Sequence, residues 1–299
     1  MNIYKINGSG YTAKINLSQG ANCIYFKKGN ADILRTPDYC KPLDNPFLYG
    51  MPILFPANRI SGGYFEFEGR EYRFPINEEN TNCHLHGIIH KTEFLLESIC
   101  ENSVSAYCNV MKRNYFPHDY RIKITYSLSE NGLLHTTEIT NLSDTNMPLI
   151  LGYHTTFNIP FIPNSTVQNV RIFATIGDEI ERNNSFLPTG RICKSDTITE
   201  ALKSGEFCPN QKLSRHYKTN GGIIEIDDIE YGQKVIYENG TNYKFRLFYG
   251  TGKDFICLEP MSGMADCANS PFGREYSGFG FIEPHKTEVF TSKIYLCEY

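Results

Sequence analysis

Strict alternation of apolar and polar residues, broken by tight turns, constrains this chain more than any other feature. Residues 120–128 read YRIKITYSL and residues 133–140 read LLHTTEIT, with the tetrapeptide SENG between them. Side chains of a strand point alternately to its two faces, so this period buries one face and wets the other. A short turn between two such runs returns the second antiparallel to the first. YFEFEGREYRF (64–74) repeats the pattern: Phe65 and Phe67 share a face, Glu68 and Gly69 turn, and Tyr72 and Phe74 resume. YKFRLFY (243–249) adds a further run. No window of a dozen residues carries an apolar stripe at helical spacing free of Gly or Pro. The expected fold is therefore all-β and antiparallel. No Gly/Ser-rich or Pro-rich linker, low-complexity tract or fixed-period repeat offers a place to divide the 299 residues, so residues 1–299 are read as one domain.

Composition narrows the partners. Apolar residues make up 40% of the chain and aromatics 13%, enough for a large core at roughly 25 cal/mol per Å² buried. The formal net charge is -4 and no run of five or more Lys/Arg occurs, which argues against nucleic acid and membrane surfaces as partners. The N-terminal MNIYKINGSGYTAKINLSQG lacks the apolar core of a signal peptide, and no segment approaches the 18 apolar residues of a membrane span, so a cytoplasmic protein is expected. Ten cysteines are scattered from Cys23 to Cys297 without a CxxC pair and are read as reduced thiols, most of them small buried apolar residues.

The residues that carry chemistry start with NCHLHGIIHK (82–91), three histidines within seven positions. On a strand, His84 and His86 point to the same face and Leu85 to the other. That geometry suits a His-x-His metal pair completed by a carboxylate, or a polar cleft in which neutral imidazoles hydrogen-bond a substrate. The metal reading lacks further ligands: Glu93 lies too far along, and no second cluster supplies a fourth. Histidines hydrogen-bonded within a packed sheet remain a third reading.

Three other stretches accompany it in order: GMPILFPANRI (50–60), GYHTTFNIP (152–160) and FICLEPMSGMADCAN (255–269). The ordered set resembles the aldose 1-epimerase family, the galactose mutarotases, from about Gly50 onward. The resemblance implies a large antiparallel β-supersandwich acting on a small-molecule sugar. It makes Arg59 a ligand of sugar hydroxyls, His86 a contact of the ring oxygen or a hydroxyl, His154 the general acid and Glu259 the general base. It leaves His84 and His90 as local structure, although His84 would share the face of His86. Interconverting α and β anomers needs one group to take the C1 hydroxyl proton and another to protonate the ring oxygen. No electrons or groups are transferred, so no cofactor and no metal is expected. A bell-shaped pH profile follows, with the acid limb assigned to the carboxylate and the basic limb to the imidazole.

The chain departs from the family pattern in two places. LSRHY (213–217) puts Arg215 where an Asp that binds sugar hydroxyls is expected, and Pro260-Met261 stands in place of a Gln after the glutamate. Arg215 is read either as a solvated arginine in a loop that does not correspond to the family position, or as opening the alternative of an anionic sugar, such as a hexose 6-phosphate or a uronate, held through a bidentate fork. A non-catalytic sugar-binding protein on the same fold is the other alternative, disfavoured because a pure binder has no need of a paired acid and base. Glu283, in FIEPHKTEVF, repeats the pattern around Glu259 but is read as a solvated turn carboxylate.

Overall fold

The computed structural model describes residues 2–40 and 45–299. The alternating runs become the strands expected of them. Tyr120–Ser129 and Gly132–Asn141 pair antiparallel, and Tyr120, Ile122, Ile124, Tyr126 and Leu128 all turn inward. Tyr64–Phe67 and Arg70–Arg73 form the small hairpin, with Glu68 and Gly69 both at positive φ. Two successive left-handed residues match the right-handed twist of the strands they join.

Two large sheets make a sandwich. An eight-stranded antiparallel sheet runs in the spatial order Leu95–Ile99, Ser103–Val110, Tyr120–Ser129, Gly132–Asn141, Thr287–Glu298, Gln233–Asn239, Gly222–Asp228 and Val170–Ala174. A second sheet runs Leu213–Lys218, Phe245–Gly250, Phe255–Met261, Gly152–Tyr153 and Ile53–Leu54, with Thr155–Asn158 also paired to Phe255–Met261. A four-stranded sheet formed by residues 3–32 packs alongside: Tyr11 Oη accepts from the Leu296 amide (3.0 Å), and Tyr126 Oη donates to the Ala21 carbonyl (3.0 Å). This is the all-β supersandwich read from the sequence.

Contacts between the large sheets show which face of the second sheet is core. Tyr153 lies 4.5 Å edge-on from the His135 ring and hydrogen-bonds Thr137 (2.6 Å), while Thr155 hydrogen-bonds Tyr237 (3.0 Å). Residues of opposite parity, His154 among them, therefore face away from the sandwich core. The Phe255–Met261 strand is buried at every position, because structure covers both its faces, and that is why Glu259 is its one charged residue.

The structure adds a helix, Thr197–Ser204, too short to produce a dozen-residue stripe. Asp196 caps it by accepting from the Thr199 amide (2.9 Å), and Gly205 closes it at φ +81°. Five of the ten cysteines are buried, three are intermediate and two, Cys40 and Cys100, are exposed, so "most buried" overstates their burial. Among the described residues no helix is long and apolar enough to cross a membrane.

Candidate active site

The outward face of the second sheet floors a cleft of about 220 Å³. Pairing along this sheet places Ser214 opposite Tyr249 and Leu247 opposite Glu259, and all four line the cleft. The register between Thr155–Asn158 and Phe255–Met261, Thr155 opposite Leu258, continues unbroken to Gly152 opposite Met261. His154 therefore falls directly across from Glu259, on the same face. Its Nε2 lies 3.3 Å from Glu259 Oε1, and both side chains are buried.

Burial sets the charge state of this pair. Loss of water pushes Glu259 up to about 8, against a smaller downward pull from Arg182 and Arg59. The same effect pushes His154 down to about 4, with the Phe47 carbonyl among the groups pulling weakly the other way. Both groups thus favour their neutral forms, and the pair holds one proton between them near neutral pH. A carboxyl and an imidazole in contact can give and take that proton in either direction.

His86 reaches the cleft by leaving its strand. Cys83–Leu85 pairs with Arg59–Ser61 and ends at Leu85; His86 then adopts φ +64° and Gly87 φ +62°. The His86 amide donates to the Asn58 carbonyl (3.1 Å), and Nδ1 accepts from the Asn58 amide (3.3 Å), which leaves the ring proton on Nε2 as a donor. Burial, reinforced by His154 and Arg59, holds His86 well below the usual imidazole range and so neutral. Phe47 packs against three imidazoles, with ring centroids 4.8 Å from His86, 4.6 Å from His90 and 5.8 Å from His154.

Arg59 lines the same cleft, clamped by Glu78 through two bonds of 2.6 Å, Nε to Oε2 and Nη2 to Oε1. Burial pushes Glu78 up, but hydrogen bonds from Arg59 and Thr81 outweigh it and hold the carboxyl below the usual range. The Asp and Asn of the third motif support this strand: the Asp266 amide donates to the Arg59 carbonyl (2.8 Å), and Asp266 Oδ1 accepts from the Ser61 amide (3.1 Å) and from Asn269 (2.8 Å).

The cleft thus brings Arg59, His86, His154 and Glu259 together. His84 does not join them. Because His86 steps out of the strand, alternation fails there, and His84 instead bonds the Pro75 carbonyl (2.7 Å) and lines a separate small cavity of about 20 Å³. His90 sits behind Phe47, lining a neighbouring cavity. Arg215 is also outside the cleft: Nη1 is 2.9 Å from both oxygens of Glu179, and Nη2 is 2.7 Å from Asp196. With both Nη atoms engaged by these carboxylates outside the cleft, it does not supply the alternative fork to an anionic sugar. Glu283 is exposed in the turn before the last strand. Among the described residues no group of three or more His, Cys, Asp or Glu is arranged to hold a metal ion.

Two charged members of the cleft escaped the sequence reading, Glu78 and Arg182. Arg182, at the end of Ile180–Arg182, donates Nη2 to the Ser214 carbonyl (2.7 Å) and hydroxyl (3.1 Å). Phe186, at φ +60° and exposed at the rim, lies under the guanidinium groups of Arg59 (4.6 Å) and Arg182 (5.7 Å).

A family model described as aldose 1-epimerase matches residues 3–281. A galactose mutarotase-like protein from Clostridium acetobutylicum, of known crystal structure, is 29% identical and superposes with a TM-score of 0.93 over 99% of this chain and 95% of its own. An uncharacterized protein of Escherichia coli, YphB, is 27% identical over 235 residues, covering 74% of this chain and 76% of its own length. A galactose 1-epimerase from Lactobacillus acidophilus, 16% identical, shares the fold with a TM-score of 0.74 over 99% of this chain and 95% of its own. With the supersandwich and four ordered motifs meeting in one cleft, the chain belongs to the aldose 1-epimerase family.

Proposed function

We propose that the protein is an aldose 1-epimerase, which opens and recloses the hemiacetal ring of an aldose and so interconverts its α and β anomers. The observation that carries this reading is the buried cross-strand contact of His154 with Glu259, 3.3 Å, at the floor of a sugar-sized cleft. In the free enzyme burial favours the shared proton on Glu259. Its transfer across that contact readies His154 as the acid and leaves Glu259 as a carboxylate eased by the nearby cations Arg182 and Arg59. Glu259 then takes the proton of the C1 hydroxyl while His154 protonates the ring oxygen. The bond from C1 to the ring oxygen breaks, and the free aldehyde forms. Rotation about C1–C2 and the reverse proton movements close the ring on the other face, so no proton is consumed and nothing else is transferred. His86 and Arg59 hold the oxygens of the sugar.

Polarimetry tests the reading. Purified protein, treated with chelator, is expected to speed the rotation change of freshly dissolved α-D-glucose or α-D-galactose, or of their phosphorylated or acidic derivatives. No response above the spontaneous rate from any of them would overturn it.

Arg59 gives a second expectation. Losing a charged hydrogen-bond donor costs about 1.5–3 kcal/mol, so Arg59→Ala should raise KM by about tenfold or more. Kinetics and a melting curve on the same preparation separate this from a strut holding Glu78, which would lower Tm and leave KM unchanged.

A further inference from the structure

The cleft contains two guanidinium groups, and only one is neutralised. Arg59 is paired bidentately with Glu78. Arg182 is held by two neutral acceptors, the carbonyl and hydroxyl of Ser214, and among the described residues it has no carboxylate at ion-pair distance. The carboxyl groups whose charge acts on it are those of Glu259 and Glu179. Glu179 is already spent on Arg215, and Glu259 is kept neutral by burial, as are His86 and His154. The lining of the cleft therefore carries one net positive charge, on a guanidinium whose Nε and Nη1 have no acceptor among the described residues. Arg182 is half-buried at the cleft, so its unpaired N–H groups stay open to a ligand, and an anion entering there gains a charge-assisted contact that a neutral sugar cannot make. Arginine is suited to the task because its planar fork matches a carboxylate or phosphate with two parallel bonds.

We propose that the preferred substrate is an aldose carrying an anionic substituent, a carboxylate or a phosphate, and that Arg182 is the side chain that recognises it. This rests on the epimerase reading above. The substituent must sit on a carbon other than C1, because the C1 hydroxyl has to be free to lose its proton. The route differs from a fork through Arg215, both of whose Nη atoms are held by Glu179 and Asp196 outside the cleft.

Calorimetric binding of glucose, glucose 6-phosphate and glucuronate, and of the galactose counterparts, tests this on the intact protein. One anionic sugar is expected to bind about tenfold or more tighter than its neutral parent, and the margin should shrink with added salt. Arg182→Gln should reduce that margin to within about threefold, and Arg182→Lys, which keeps the charge and loses the fork, should fall between. Phosphate and carboxylate arms tell the two anions apart. Neutral sugars binding as tightly as anionic ones would overturn the proposal, and so would a preference that survives in a folded Arg182→Gln protein. Exchange NMR on the same sugars reports ring opening separately: anion preference without turnover would remove the epimerase reading, whereas turnover without preference would remove only the role of Arg182.

Discussion

Glu259→Gln is expected to lower kcat by roughly 10²-fold or more with the fold intact, because the amide keeps the volume of the carboxyl and most of its hydrogen bonds but can neither accept nor release the proton. His154→Asn removes the other half of the relay and should cost as much. The double variant should be little worse than the poorer single, since two groups passing one proton act as a unit. The pH profile carries the signature of the pair. The active free enzyme holds one proton, so kcat/KM should rise through about pH 4 as His154 loses its proton and fall above about pH 8 as Glu259 loses its own. Burial thus assigns the limbs the other way round from the expectation based on ordinary carboxylate and imidazole values. Stopped-flow polarimetry across this range measures both limbs. A Glu259→Gln enzyme within a few-fold of wild type would sink the assignment and return the search to Glu78, the other carboxyl among the described residues that line the cleft.

Gly87→Ala should destabilise the protein by about 2–5 kcal/mol, the sum of a left-handed alanine and a forced backbone shift. Gly87 lies at φ +62°, and a Cβ there would meet the Phe55 carbonyl oxygen at 2.0 Å and Pro56 N at 2.8 Å. Both obstacles are backbone and cannot rotate away. Gly69 offers an internal comparison: its φ is +72°, but its Cβ would meet nothing within 4 Å, so Gly69→Ala should cost only about 1 kcal/mol of backbone strain. Urea unfolding of the two variants measures the difference. Equal losses would show that backbone conformation alone, and not close approach beside His86, dictates glycine at position 87.

How far the site was legible depended on the range of the interactions that build it. Alternation is a local property, so the strands carrying Tyr120, Ile122 and Ile124 could be read directly, and the ordered motifs led to Arg59, His86, His154 and Glu259, which the fold gathers in one cleft. The same rule misled at His84, because a single left-handed residue at His86 ends the alternation, and only the glycine that follows hints at it. Glu78 and Arg182 were illegible for a different reason. Their partners Arg59 and Ser214 lie 19 and 32 residues away, across hydrogen bonds that no spacing rule encodes. Arg215 shows the converse: its residue type suggested an open anion fork, but Glu179 and the cap residue Asp196, 36 and 19 residues distant, had already claimed it.

The position of His154 across from Glu259 has a consequence for how the site ages and melts. Their separation is set by the ladder joining Thr155–Asn158 and Gly152–Tyr153 to the fully buried Phe255–Met261 strand, not by a mobile segment. Local openings in a protein cost least at loops and most in core strands. The proton-passing pair therefore inherits the opening free energy of the sandwich interior. It needs no closing motion to assemble, and partial fraying at the rim around Phe186 would impair capture of the sugar long before it disturbed the distance over which the proton moves.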